Sequence, residues 1–213
     1  MPRRALRKLD PALDLSHHLK TFDDSPQPWN ADVLFDCAQP LEVEVGSGKG
    51  LFLHSAATAT PDHNFLGIEI ATKYARFAAA KLAKSKLTNA VLVHGDARRL
   101  FAELFSDASL AAVHVYFPDP WWKKRHHKRR VMNDWFIAQI ERALVSDGAL
   151  HFWTDVHERY EAILELIAAH TKLVGPLEVP ERQAEHDLDY RTHFERRMRI
   201  TKQAVYRSEF RKR

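Results

Sequence analysis

The sequence predicts an α/β domain: a mostly parallel sheet covered by helices, with an antiparallel C-terminal edge. Two patterns lead there. Short apolar runs alternate with helical periodicity from residue 41 to residue 170, and glycines cluster at the first strand-to-helix junction. The tail then breaks the rhythm. The first strand is 41–45 (LEVEV), and the apolar residues of 51–59 continue as a helix. Pro61 and Asp62 punctuate before a second strand at 64–70 (NFLGIEI). An alanine-rich helix over 72–86 carries Tyr74, Phe77 and Leu82 at helical spacing. Strand 90–94, helix 98–105 and strand 110–116 follow, then a basic loop, a helix from about 133 to 145, strand 149–154 and helix 156–170. Residues 175–191 are polar with two prolines, and 194–200 with 203–210 read as an antiparallel strand pair. Residues 1–39 hold prolines and no long periodic pattern, so they read as an N-terminal arm to a domain spanning 40–213.

At 213 residues, with 45% hydrophobic and 28% charged residues, the chain suits one well-buried core. It shows no apolar run of membrane-spanning length and no signal-peptide pattern. The single cysteine, Cys37, excludes an internal disulfide framework and fits a reducing cytoplasm. Net charge is only +4, but the cations are bunched: residues 123–130 read KKRHHKRR. Arg196, Arg197, Arg199, Lys202, Arg207, Arg211, Lys212 and Arg213 form a second group. Such clustering points to phosphate backbones, although an isolated basic run is more often a solvated face. His126 and His127 are adjacent rather than helix-spaced, so no metal site is expected.

The first strand runs into Glu44-Val45-Gly46-Ser47-Gly48-Lys49-Gly50. A dinucleotide fingerprint would need glycine at position 51, which is leucine, and a phosphate-binding P-loop would need Ser or Thr after Lys49. The remaining pattern, E-x-G-x-G-x-G, is that of S-adenosylmethionine enzymes. That donor has no phosphate; its sulfonium, ammonium and ribose hydroxyls call for acidic acceptors. Glu69 ends the second strand where a carboxylate can accept from ribose hydroxyls, Asp96 follows the third strand toward the adenine amino group, and Glu44 lies on the amino-acid side. Taken singly, each acid reads as a turn or helix cap; their joint order favours a binding site.

The fourth strand opens into Phe117-Pro118-Asp119-Pro120-Trp121-Trp122-Lys123-Lys124-Arg125. Prolines on both sides of Asp119 hold an extended turn. A carboxylate here can accept from both N1–H and the N2 amino group of guanine. Trp121 and Trp122 suit either core packing or base stacking.

With these segments, together with Gly67-Ile68-Glu69, Gly95-Asp96-Ala97 and Thr192-His193-Phe194-Glu195, the chain resembles the bacterial tRNA (guanine-N7-)-methyltransferases over roughly residues 40–200. The resemblance implies a Rossmann-like S-adenosylmethionine-dependent methyltransferase fold and methylation of guanosine 46 in the tRNA variable loop. It implies that Glu44, Gly46, Gly48, Gly50, Glu69, Asp96 and Asp119 hold the cofactor, Asp119 being catalytic as well. It assigns Lys123, Asp155, Thr192, His193, Phe194 and Glu195 to the substrate. Lys124, Arg125, Lys128, Arg129 and Arg130 are the expected RNA-contacting run. Trp122 stands where the family usually has proline, and His193 where it usually has a basic residue. The alternatives are a methyltransferase for another RNA nitrogen or for protein, and a non-catalytic RNA-binding partner. A dinucleotide-dependent oxidoreductase ranks below them. The oligomeric state is left open.

Overall fold

A computed structural model of the chain describes residues 6–23, 33–119, 130–181, 183, 186 and 190–213. Strands β1 (Leu19–Thr21), β2 (Leu41–Val45), β3 (Asn64–Glu69), β4 (Ala90–His94), β5 (Leu110–Tyr116), β6 (Leu144–Thr154), β7 (Val174–Leu177) and β8 (Tyr206–Arg211) form one sheet. Its order is β1-β4-β3-β2-β5-β6-β8-β7. The pairings from β1 through β6 are parallel, and β8 runs antiparallel between β6 and β7. The helices are α1 (Leu51–Ala59), α2 (Thr72–Lys84), α3 (Ala97–Glu103), α4 (Asp134–Ala143), α5 (His157–His170) and α6 (His193–Ile200).

Alternation along the strands divides the core. Leu66 and Ile68 of β3 and Val91 and Val93 of β4 face one way, packing with Leu100, Phe101, Phe136, Ile140, Ile163 and Ile167 of α3, α4 and α5. Phe65 and Leu92 face the other way, against Leu53, Ala78, Ala79 and Leu82 of α1 and α2. A sheet covered on both faces needs apolar residues at both parities, which is why these strands read as nearly continuous apolar runs. The strand order reverses between β2 and β5: the chain moves outward from β2 through β3 to β4, then returns to β5 on the other flank. Crevices at such a reversal, beyond the carboxyl ends of the strands, are where open α/β sheets bind ligands.

Three features depart from the sequence reading. Residues 194–200 do not pair with 203–210; they lie in α6, and β8 pairs with β6 and β7 instead. The overlooked signal is a capping box, T-x-x-E, at the head of this segment: the Thr192 hydroxyl accepts from the Glu195 N–H at 3.0 Å. The helix expected to reach residue 145 stops at Ala143, because Leu144 is already extended and pairs with Leu110. Within the polar stretch after residue 173, Val174–Leu177 forms an edge strand, where Pro176 is tolerated.

The N-terminal segment also contributes to the sheet and core. Leu19–Thr21 extends the edge beside β4, and Phe22, Leu34 and Phe35 are buried in the larger core cluster. The Arg99 guanidinium lies 4.1 Å from the centre of the Phe22 ring. Phe22→Ala is therefore expected to destabilise the whole domain by about 3 kcal/mol, read as a lower denaturation midpoint with an unchanged slope. A local effect confined to the first residues would leave the midpoint in place.

Candidate active site

Between β2 and α1 the chain turns on three left-handed glycines, Gly46, Gly48 and Gly50, with φ of 79°, 53° and 65°. Gly50 has a second reason to be glycine: a Cβ there would lie 2.7 Å from the Cβ of Ala78 in α2. The loop folds back on β3. Gly46 and Ser47 donate their N–H groups to the Ile68 carbonyl at 2.8 and 3.0 Å, and Gly50 donates to Ser47 O at 2.8 Å. The Gly48 N–H donates to Glu69 Oε2 at 2.8 Å, while Glu69 Oε1 accepts from Ala71 N–H at 2.8 Å.

These bonds decide what the loop can hold. A phosphate cradle needs free, convergent N–H groups, but here most are spent within the protein. The loop presents carboxylates instead. Glu44 is buried, and its Oε2 has no hydrogen-bond partner among the described residues. Burial, and after it the neighbouring Glu69 charge, pushes the Glu44 carboxyl up to about 8 against an opposing hydrogen bond from Ser47. Above Gly46 an added Cβ would meet nothing within 4 Å, so the loop is open on that side. An orphaned acidic acceptor beside an open glycine turn fits a cationic donor such as S-adenosylmethionine. Asp96 caps α3, accepting from the Arg98 N–H at 2.9 Å and from its guanidinium at 3.0 Å. Partial burial raises the Asp96 carboxyl, but these Arg98 donors outweigh it and hold it below its usual range.

On the other side of the reversal, β5 ends at Tyr116 and the chain turns sharply at Phe117, whose φ is +50°. A bulky residue in this conformation is strained and persists only where its surroundings fix it. Here the Phe117 N–H donates to Trp153 O at 2.8 Å, and its ring lies 4.8 Å from that of Phe194. The turn delivers Asp119 to the surface, in a small pocket lined by Pro118, Arg130, Met132, Thr154 and Arg159 among others. Asp155, half-buried, immediately follows the end of β6.

Helix α6 is fastened beside this turn. Besides the Thr192 cap, Glu195 Oε2 accepts from the Arg191 N–H at 2.6 Å, and Glu195 Oε1 pairs with Arg207 at 3.2 Å and Arg199 at 3.6 Å. Arg207 sits in cross-strand register with Trp153, which is in register with Tyr116. A row running Tyr116, Trp153, Arg207 thus carries α6 to the Phe117 turn. His193 is exposed on the first turn of α6.

The structure therefore gathers Glu44, Glu69, the glycine loop, Asp119, Asp155 and residues 192–195 along one rim of the sheet, with Asp96 farther out at the end of β4. Arg130 lines the Asp119 pocket. Trp121, Trp122, Lys123, Lys124, Arg125, Lys128 and Arg129 lie outside the described residues. Sequence reasoning missed Arg159 and Arg191. Arg159 lines the Asp119 pocket from α5, and the Arg191 guanidinium lies 5.5 Å from the centre of the Phe52 ring. Neither stood in a motif, and only tertiary packing brings them here. Beneath the site, Glu42 accepts from buried His114 at 2.6 Å and from His63 at 2.7 Å, and His114 Nδ1 meets the Tyr116 hydroxyl at 2.9 Å. Burial raises the Glu42 carboxyl, yet these two histidines outweigh it and hold it ionised.

The raised Glu44 carboxyl has a pH signature. Binding a cation there favours the ionised form, so affinity for the donor should rise with pH up to about 8, with proton release on binding below that pH. Calorimetry in buffers of different ionisation enthalpy reads this directly, and Glu44→Gln should abolish the proton release. Without donor, the raised carboxyl lowers stability as pH climbs from its ordinary value toward 8. Glu44→Gln should therefore raise Tm at pH 9 and change it little at pH 4.

A family profile described as "Putative methyltransferase" matches residues 38–208. A tRNA (guanine-N(7)-)-methyltransferase of Rhodopirellula baltica is 53% identical over 100% of this chain and 81% of its own length. The namesake of Geobacillus kaustophilus is 34% identical over 83% of this chain and 81% of its own. That of Haemophilus influenzae is 33% identical over 72% of this chain and 63% of its own. Among solved structures, the aminoglycoside resistance methyltransferase NpmB1 aligns with a TM-score of 0.56 at 19% identity, covering 82% of this chain and 87% of that one, a likeness of fold. The glycine loop that offers carboxylates instead of free N–H groups, the proline-framed aspartate and these relatives agree: the chain belongs to the tRNA (guanine-N7-)-methyltransferase family.

Proposed function

We propose that the chain transfers a methyl group from S-adenosylmethionine to N7 of guanine in tRNA, at guanosine 46 of the variable loop. The observation that carries this reading is the juxtaposition at the strand-order reversal. A carboxylate-lined glycine loop ends β2, and the proline-framed Asp119 leaves the end of adjacent β5. Glu44, Glu69 and Asp96 would hold the amino-acid, ribose and adenine portions of the donor. When bound, S-adenosylmethionine supplies an electrophilic methyl group on a sulfonium.

Guanine N7 carries a lone pair, so no proton must leave it before attack, and the protein's task is positioning. Asp119 can accept from N1–H and the N2 amino group, fixing the base in plane and offsetting the positive charge that develops on it. Thr192, His193, Phe194 and Glu195 border the same turn through the Phe117–Phe194 contact; with Asp155 they would serve the nucleotide, buried Glu195 by fastening α6 through Arg191, Arg199 and Arg207. Lys123, Lys124, Arg125, Lys128, Arg129 and Arg130 would grip phosphates, offsetting the few kcal/mol needed to expose the base. Residues 40–213 form the methyltransferase domain in this reading, with 1–39 as an arm.

Mass spectrometry of nucleosides from treated tRNA should show 7-methylguanosine, and replacing guanosine 46 should remove it. Asp119→Ala should lower kcat about 100-fold or more while leaving donor affinity only modestly reduced. Near-normal turnover would strip Asp119 of this role. Alanine at Lys123, Lys124 and Arg125 should weaken tRNA binding and flatten its salt dependence; an unchanged slope would mark the run as solvated surface.

A further inference from the structure

Carboxylates are strangely absent from one long stretch of the sequence: from Ile70 to Gly95 there is no Asp or Glu, although Lys73, Arg76, Lys81, Lys84 and Lys86 all fall within it. Most of this stretch is α2 and its C-terminal turn. The helix buries Ala75, Ala78, Ala79, Ala80 and Leu82, and leaves Lys73, Arg76 and Lys84 exposed, with exposed Lys86 just beyond its end. None of these four cations pairs with a carboxylate among the described residues. Elsewhere several surface arginines are matched: Arg98 with Asp96, Arg142 with Asp107, Arg211 with Glu209. Arg199 and Arg207, counted by sequence among the available C-terminal cations, are tied to Glu181 and Glu195. The acid-free stretch thus sets four exposed cations along one helix and its C-terminal turn.

We propose that the exposed face of α2 is a second tRNA-binding surface, gripping phosphates on the flank of the cofactor loop opposite the Asp119 turn. The proposal rests on the reading of the chain as a tRNA methyltransferase and deepens it. Position supports it as well as charge. Helix α2 begins three residues after Glu69 and packs against Gly50 through Ala78. It lies beside β3, β4 and β1, whereas the Asp119 loop leaves β5 on the other flank of β2. From Lys73 to Lys84 the helix rises about 16 Å, while a duplex presents one phosphate charge per about 1.7 Å of axis. A nucleic acid reaching Asp119 could thus be held from both flanks. The exposed positions carry cations rather than large apolar side chains, which suits a phosphate backbone better than a lipid surface.

The test replaces Lys73, Arg76, Lys84 and Lys86 with glutamine, and separately Lys84 and Lys86 alone, measuring steady-state methylation of tRNA across salt concentrations. None of these residues belongs to the catalytic or donor-binding set, so kcat and S-adenosylmethionine affinity should hold. KM for tRNA should rise roughly fivefold per lost contact at about 0.15 M salt, and the slope of log K against log salt should shrink by about 0.9 for each. The double variant should show a smaller change in the same direction. An unchanged KM and slope, with the wild type methylating tRNA normally, would overturn this proposal alone. A wild type that methylates no tRNA would instead overturn the function on which it rests. Loss of binding to phosphatidylserine vesicles with KM for tRNA unchanged would assign the face to a membrane and likewise overturn the proposal.

Discussion

Strands β2 and β5 lie side by side in parallel, and the chain leaves their carboxyl ends toward opposite faces of the sheet. After β2 it enters α1, which packs with α2; after β5 it reaches α4, which packs with α3 and α5. Two departing loops cannot fill the space between them, so a crevice opens at that point. The glycine loop lines one side and the Asp119 turn the other. Parallel strands require long crossovers, so residues far apart in the chain, Glu44 and Asp119 among them, meet here because the sheet brings their strand ends together.

Acidic groups in this crevice are treated in two ways. Glu69 accepts a backbone N–H at each oxygen, which pins its side chain across the loop. Glu44 is buried with one oxygen unsatisfied, a costly state for a group that could otherwise be hydrated or paired. A cationic ligand paired with that oxygen would relieve the cost. Glu42, two residues earlier on the same face of β2, is spared this cost because His114 and His63 satisfy both its oxygens. The same burial thus gives one carboxylate that stays ionised and one that holds its proton.

Outside the crevice, arginine is used to fasten the tail. Arg207 joins Glu195 and Glu181 and lies 5.1 Å from the centre of the Trp153 ring. Removing one partner of the buried Arg207–Glu195 pair would leave the other charge uncompensated, so this contact is costly to break. These pairs set α6 against the Phe117 turn, so that residues 192–195 and Asp119 share one neighbourhood.

Alternation of apolar runs with helical periodicity fixed the parallel strands β2 to β6 and helices α1 to α5 to within a few residues, because both periodicities are local. The cofactor class was legible too: Leu51 and the residue after Lys49 excluded the phosphate-binding patterns, and spacing after each strand singled out Glu44, Glu69 and Asp96 as candidates. The tail was not legible in this way. Basic and apolar residues at 194–200 fit a strand as well as a helix, and the T-x-x-E capping box that favours the helix becomes decisive once the Glu195 N–H is seen to bond Thr192. Three-residue β1 is too short for any periodicity and exists because β4 offers it an edge. The pairing of Arg199 and Arg207 with acids, and the lack of a carboxylate partner for the exposed α2 cations among the described residues, were equally invisible. Charge type is written in the sequence, but whether a charge is neutralised depends on what the fold places within about 4 Å of it.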